Sequence, residues 1–169
     1  DPIDLINKYG ADGVRMGMLF ASPLGNDLLF DESLCEQGRN FSNKIWNALR
    51  LVKMWQIDNS KTPNAINNQS IIWFREQLNA SIIEINKNFA EYRISDALKT
   101  VYKTIWDYFC SWYLELIKPP YGQAIDSFTY YKTIDFFKTL MQLLHPFMPF
   151  ITEEIWHLLD NNKNDNNTI

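Results

Sequence analysis

Residues 38–55, "GRNFSNKIWNALRLVKMW", decide how the chain is read. Phe41, Ile45, Ala48, Leu49 and Val52 recur at i, i+4, i+7, i+8 and i+11, the spacing of one buried stripe on an α-helix. With Ile45 as the inward direction and about 100° of turn per residue, these five fall within about 60° of it. Asn40, Asn43, Asn47, Arg50 and Met54 gather on the opposite side. Lys44 and Leu51 flank them on one edge, Arg39 and Trp46 on the other. Asparagine is a mediocre helix former, so three along one stripe are a costly way to build a merely solvated face. Amides can read base edges and cations can hold phosphates. On pattern alone the plainer reading is a solvated face with Trp46 packed on a neighbouring helix.

Outward from this stretch, the spacing predicts a long helix over about 32–56 and further helices over about 70–88, 95–117, 127–144 and 152–160. Ser95 and Thr152 are expected to cap two of them. The inner faces are expected to be Ile71, Ile72, Phe74, Leu78, Ile82 and Ile85; then Leu98, Val101, Ile105, Phe109, Trp112 and Leu116; then Tyr130, Ile134, Phe137, Leu140, Met141 and Leu144. "IDNSKTPNAINNQ" (57–69), "KPPYGQ" (118–123) and "HPFMPF" (145–150) interrupt them, since proline and the residue before it leave the helical region. Before residue 32 stand two short helices, one capped by Asp1 and stopped by Gly10, the other over about 11–21, and then a loop with an extended tail, "SPLGNDLLFD" (22–31). The fold class is therefore all-α: a helical bundle of about four to five helices (32–160) preceded by a small segment (1–31) and followed by a polar tail (161–169) expected to be disordered.

Composition agrees. The chain has 169 residues, is 46% hydrophobic and 15% aromatic, and carries few glycines, which suits one helical domain with a true core. Its net charge of −4 counts mildly against a nucleic-acid binder. Locally the sign reverses: residues 33–55 carry Arg39, Lys44, Arg50 and Lys53 against Glu36, a net +3. Cys35 and Cys110 have no metal-binding spacing and read as free thiols of a reducing cytoplasm. No run is long enough to span a membrane. The chain opens on "DPIDLINKYG" without an initiating Met and is expected to be a piece of something larger.

Three candidate chemistries suggest themselves, and each is incomplete. Glu154-x-x-His157 is half of a di-iron pattern, but Gln142 stands three residues before His145, so no second pair exists. Cys110 and His145 lack an orienting third group, and His145 reads as a turn histidine bonding a free carbonyl. "YGADG" has the wrong glycine spacing for a phosphate loop. The aromatics Trp106, Tyr108, Phe109, Trp112, Tyr113, Tyr130 and Tyr131 read as interhelical packing. No catalytic or metal residue is assigned.

At the opening stretch a family resemblance enters. "GRNFSNKIWNALR" resembles the anticodon-helix motif of the valyl-tRNA synthetases, class I aminoacyl-tRNA synthetases. "DPIDLINKYGADGVR" is similar to the stretch that follows their catalytic KMSKS loop, and "ASPLGNDLLFDE" to the next loop. "IWDYFCSWYLELIKP" and "LLHPFMPFITEEIW" resemble later helices of the bundle that are shared with the leucyl and isoleucyl enzymes. The resemblance covers residues 1 to about 159. It implies that 1–31 is a stem-contact-like segment after the catalytic core and 32–160 the anticodon-binding bundle. It implies a non-catalytic piece of a cytoplasmic valine-tRNA ligase. The partners would be the anticodon arm of tRNA(Val) and the catalytic domain of the same chain; ATP and Mg²⁺ would act in the parent enzyme, and no cofactor here. The family's anticodon-facing Lys, Asn and aromatic fall on Lys44, Asn47 and Leu51; leucine replaces the aromatic, and Ser111 stands where the family often has Asp. The expected tRNA-binding set is Arg39, Asn40, Asn43, Lys44, Asn47, Arg50, Leu51 and Met54. The alternatives are an isoleucyl or leucyl enzyme, and a helical protein-interaction module whose Trp46, Leu51 and Met54 form a docking patch.

Overall fold

A computed structural model describes residues 1–22, 30–159 and 169. The expected loop over 22–31 and the polar tail therefore lie largely outside the described residues. Two short helices, α1 (Pro2–Tyr9) and α2 (Ala11–Phe20), precede α3 (Glu32–Lys53) and α4 (Ala65–Ala90). A continuous rod follows: α5 (Ile94–Lys103), a π-helical run (Thr104–Tyr113) and α6 (Leu114–Ile117). Then come α7 (Ser127–Leu144) and α8 (Pro149–Leu159).

The α2–α3 pair is built by glycines. A Cβ at Gly38 would stand 2.7 Å from the Gly13 carbonyl oxygen, and one at Gly17 would stand 2.7 Å from the Cys35 backbone nitrogen and its Sγ. The two backbones approach more closely than any larger residue would allow. α2 is also tied to the far end of the chain. The buried Asp12 carboxylate accepts from the backbone N–H groups of Phe150 (3.3 Å) and Ile151 (2.7 Å), so it caps α8 from another helix. Arg15 donates to the carbonyls of Phe147 and Pro146 in the turn before α8.

α3 is capped by Asp31, whose carboxylate accepts from Ser33 N–H. Its expected inner stripe, Phe41, Ile45, Ala48, Leu49 and Val52, is buried throughout. α4 starts five residues earlier than the periodicity indicated, because Asn64 caps it by accepting from Asn67 N–H at 2.8 Å. Ile72 is exposed rather than buried. Two-residue strands β1 (Ile57–Asp58) and β2 (Ile125–Asp126) pair in parallel, joining loops 68 residues apart, a contact that no sequence pattern announced. The same Asp126 caps α7 through Thr129 N–H at 2.8 Å and accepts from the Asn67 amide at 3.2 Å. One buried carboxylate thus fixes the entries of two helices.

The turn between α4 and the rod has Schellman geometry: Arg93 N–H donates to Asn88 O (2.8 Å) and Tyr92 N–H to Phe89 O (3.0 Å). The left-handed position that usually holds glycine is Tyr92, at φ 59°. Ser95, expected as the cap, instead lies inside α5 and donates to Phe20 O at 3.3 Å.

The π run corrects the expected face of the rod. Leu98, Val101, Ile105 and Phe109 are buried as predicted, but Trp112 is 60% and Leu116 46% exposed. Tyr113, Leu114 and Ile117 are buried instead. With i→i+5 bonding each residue turns roughly 80° rather than 100°, so Trp112, three positions after Phe109, swings from about 60° to about 120° off its face, while Tyr113, four positions on, stays within about 40° of it. Tyr113 anchors the aromatic centre of the core: its ring lies 5.0 Å from Phe74 and 5.5 Å from Phe136, and its hydroxyl is 3.0 Å from that of Thr133.

α8 begins at Pro149, so Thr152 lies within it. The Thr152 hydroxyl donates to Met148 O and stands 2.8 Å from His145 Nδ1. The expected carbonyl partner of His145 is replaced by a hydroxyl.

Candidate nucleic-acid interface

The outer side of α3 is where the candidate residues fall, and the structure divides them. Asn40, Asn43, Asn47, Arg50 and Met54 are exposed, Met54 to 76%. Arg39 is drawn to the N-terminal end, where it pairs with Glu36 at 3.3 Å and lies over the Tyr9 ring. Trp46 is half-exposed on the edge away from the rod. Lys44 and Leu51 mark the other edge, and with Asn47 they face the rod.

There the structure forms a groove of about 140 Å³, lined by Lys44, Asn47, Ala48 and Leu51 from α3 and by Cys110, Leu114 and Glu115 from the rod. The Lys44 ammonium rests 5.3 Å from the Trp106 ring centroid, which holds a flexible cation at the groove without neutralising it. Glu115 is exposed and paired with Lys118 one turn on. Leu114 forms a buried wall opposite Leu51. Burial pushes the Cys110 thiol up to about 12, so it is a neutral part of the wall at physiological pH and no nucleophile.

Chemically the groove offers one cationic donor, one amide that donates and accepts, one carboxylate acceptor and two apolar walls. That set suits the edge and face of an unstacked, planar, hydrogen-bonding ring. Leu114 and Glu115 were not among the expected site residues. Their motif, "WYLEL", was visible, but an α-helical phase points Trp112 and Leu116 inward; only the π winding turns the Cys110–Leu114 side toward α3. The other candidate chemistries do not assemble. His145 is held by Thr152 while Cys110 lines the α3 groove, and His157 pairs with Glu153 at 3.1 Å rather than with Glu154. Among the described residues no group of three His, Cys, Asp or Glu side chains could hold a metal ion. No helix among them is long and apolar enough to cross a membrane.

A helical bundle whose surface groove joins a lysine–asparagine helix to a carboxylate-bearing rod invites comparison with RNA-binding modules. Residues 72–169 match the family described as the anticodon-binding domain of tRNA ligase, and the chain belongs to that family. α3 precedes the matched span, but relatives align across it. The chain is 58% identical over 161 residues to the valine–tRNA ligase of Phocaeicola vulgatus, covering 95% of this chain and 18% of that protein. It is 57% identical over 169 residues to the valine–tRNA ligase of Porphyromonas gingivalis, covering all of this chain and 19% of that protein. The chain thus spans about a fifth of the length of these relatives. Among solved structures, the ternary complex of Agrobacterium radiobacter K84 agnB2 LeuRS–tRNA–LeuAMS matches with a TM-score of 0.64 over 96% of this chain and 20% of that one. At 22% identity the likeness is one of fold.

Proposed function

We propose that this chain is the anticodon-arm-binding part of a cytoplasmic valine-tRNA ligase, and that it binds RNA without catalysing. Residues 1–31 serve as a stem-contact-like segment and residues 32–160 as the bundle. The parent enzyme joins valine to its tRNA with ATP and Mg²⁺ outside the described residues, and its catalytic domain is the bundle's partner in the same polypeptide. The observation that carries the reading is the groove between α3 and the rod, in a chain whose relatives are valine–tRNA ligases along nearly its whole length.

In this reading Lys44 meets a phosphate or base acceptor, and Asn47 and Glu115 hydrogen-bond a base edge. Leu51 and Leu114 bracket the base face. Asn40, Asn43, Arg50 and Met54 lie on the path of the loop, with Arg39 at its N-terminal end. Anticodon bases are single-stranded, so side chains reach edges that a deep A-form major groove would hide.

Charging efficiency of the full synthetase with cognate and anticodon-swapped tRNA tests this. Lys44→Ala is expected to weaken binding and, if it meets a phosphate, to flatten the log–log salt slope by about 0.7. Asn47→Ala is expected to leave the slope alone and to reduce discrimination between anticodons by about 1–3 kcal/mol for a bidentate contact, with DNA base contacts as the guide. If both variants charge and discriminate like the unaltered enzyme, this face is only solvated and the proposal fails.

A further inference from the structure

A second groove, of about 550 Å³, lies on the other flank of the rod, between α4 and α5. Its charged lining is Lys87, Arg93, Lys99 and Lys103 against Glu84 and Asp96, a net of 4 − 2 = +2 in a chain whose net charge is −4. The cations are not all consumed by these carboxylates. Asp96 is shared by Arg93 at 2.8 Å and Lys99 at 3.3 Å, and Arg93 also meets Glu91, just outside the lining, at 3.7 Å, which leaves Lys87 and Lys103 as the cations that no carboxylate pairs among the described residues. Lys103 rests over the Tyr108 ring at 5.4 Å, and Lys87 is exposed with no ion-pair partner among the described residues. The floor is polar as well, with the Ser81 and Thr104 hydroxyls 2.8 Å apart. The groove is therefore polar and suited to an anion rather than to an apolar side chain.

A second, independent feature stands in the turn that joins its two helices. Between the lining residues Asn88 and Arg93 the chain turns through Tyr92, which is 79% exposed and held at φ 59°. Glycine would make the same Schellman turn without the clash between Cβ and backbone that a left-handed tyrosine carries. The ring gains little packing in return, so nothing in the fold accounts for an aromatic there. A cationic groove with an exposed aromatic in the adjoining turn is the pairing that holds nucleic acid: phosphates along the cations, a base against the ring.

We infer that the α4–α5 groove is a second RNA-binding site, in which Lys87 and Lys103 hold the ribose–phosphate backbone and Tyr92 stacks on an unpaired base. This rests on the proposal that the chain binds tRNA, and it adds a contact that reads no anticodon.

The test is filter binding of an unmodified valine-tRNA transcript to the chain, between about 50 and 200 mM salt. The double substitution Lys87→Ala/Lys103→Ala is expected to flatten the log–log salt slope by about 1.4–1.8, at about 0.7–0.9 for each phosphate no longer neutralised. Lys132→Ala, a half-buried lysine on α7 that pairs with Asp135, serves as the control for the loss of one charge away from the groove. Tyr92→Gly is expected to lower affinity about tenfold or more without altering the slope, and Tyr92→Phe to retain it. Thermal melts of each variant establish that the fold is kept. A double-variant slope no flatter than the control's, or a Tyr92→Gly chain that binds like the unaltered one, overturns the inference and leaves the α3 proposal standing. If anticodon-swapped transcripts bind equally well while the double variant still flattens the slope, the α3 proposal fails and the second site stands.

Discussion

The α2–α3 pair and the α4–rod pair contribute the two sides of the molecule, and they obey different rules. On α3 the stretch from Phe41 to Met54 follows 100° per residue: the five-residue stripe is buried and the asparagine face is exposed. On the rod the same rule holds only as far as Phe109 and then fails, because ten residues wind as a π-helix. Hydrophobic spacing therefore reports burial only for a known winding. The candidate site lies where the two regimes meet, so half of it could be read in advance and half could not.

Exchanging burial ranks on the rod puts this contrast under the most severe strain. Tyr113→Ala is expected to cost about 3–5 kcal/mol, as for other large buried aromatics. Trp112→Ala is expected to cost about 1 kcal/mol or less, as an exposed position. Urea unfolding of both variants measures the difference. If Trp112 proves the costlier loss, the rod is a regular α-helix in solution and Leu114 does not face α3.

On the α2–α3 side, Gly38→Ala should destabilise by about 1–3 kcal/mol, since its Cβ would meet the Gly13 backbone rather than a side chain that can swing away. An alanine accepted without loss of stability would mean that the two helices are further apart than described. A smaller effect of opposite sign is expected where α4 hands over to the rod. Tyr92→Gly should raise stability by about 1 kcal/mol by relieving a left-handed tyrosine, visible as a higher urea midpoint with unchanged slope.

The smallest effect concerns Asp12, the α2 carboxylate that caps α8. Burial raises its pKa from the ordinary aspartate value, against the lowering pull of the Ile151 and Phe150 N–H groups. The folded state then binds the proton more tightly than the unfolded state. Its contribution to stability is therefore greatest in acid and falls as pH rises through the folded pKa. The stability difference between the unaltered chain and Asp12→Asn, followed by urea unfolding across that range, should shrink with rising pH. A difference that grows with pH would show that the N–H bonds outweigh burial.

How far the chain could be read in advance follows from the kind of information each feature needs. Helix existence, the inner face of α3 and its polar outer face are local: they follow from residue types at fixed spacings along one segment. So do the breaks at "KPPYGQ" and "HPFMPF", where proline acts on its own backbone. Ends were less legible. Asn64 and Pro149 start helices earlier than apolar spacing suggests, because a capped first turn need not be apolar. Tyr92 occupies a glycine position, so composition gave no sign of the Schellman turn.

Packing alone settles the pairings of groups far apart in sequence and the winding of the rod. Asp12 caps α8 across 139 residues, and Asp126 joins the entries of α4 and α7. The π run turns Leu114 and Glu115 toward Lys44, Asn47 and Leu51. None of these is a property of a segment in isolation. Each depends on which backbone ends and which faces are brought together when the helices pack. Residue types and their spacing were enough for an all-α bundle and one polar helix face; the groove that gives this face something to hold exists only because a second helix changes its winding opposite it.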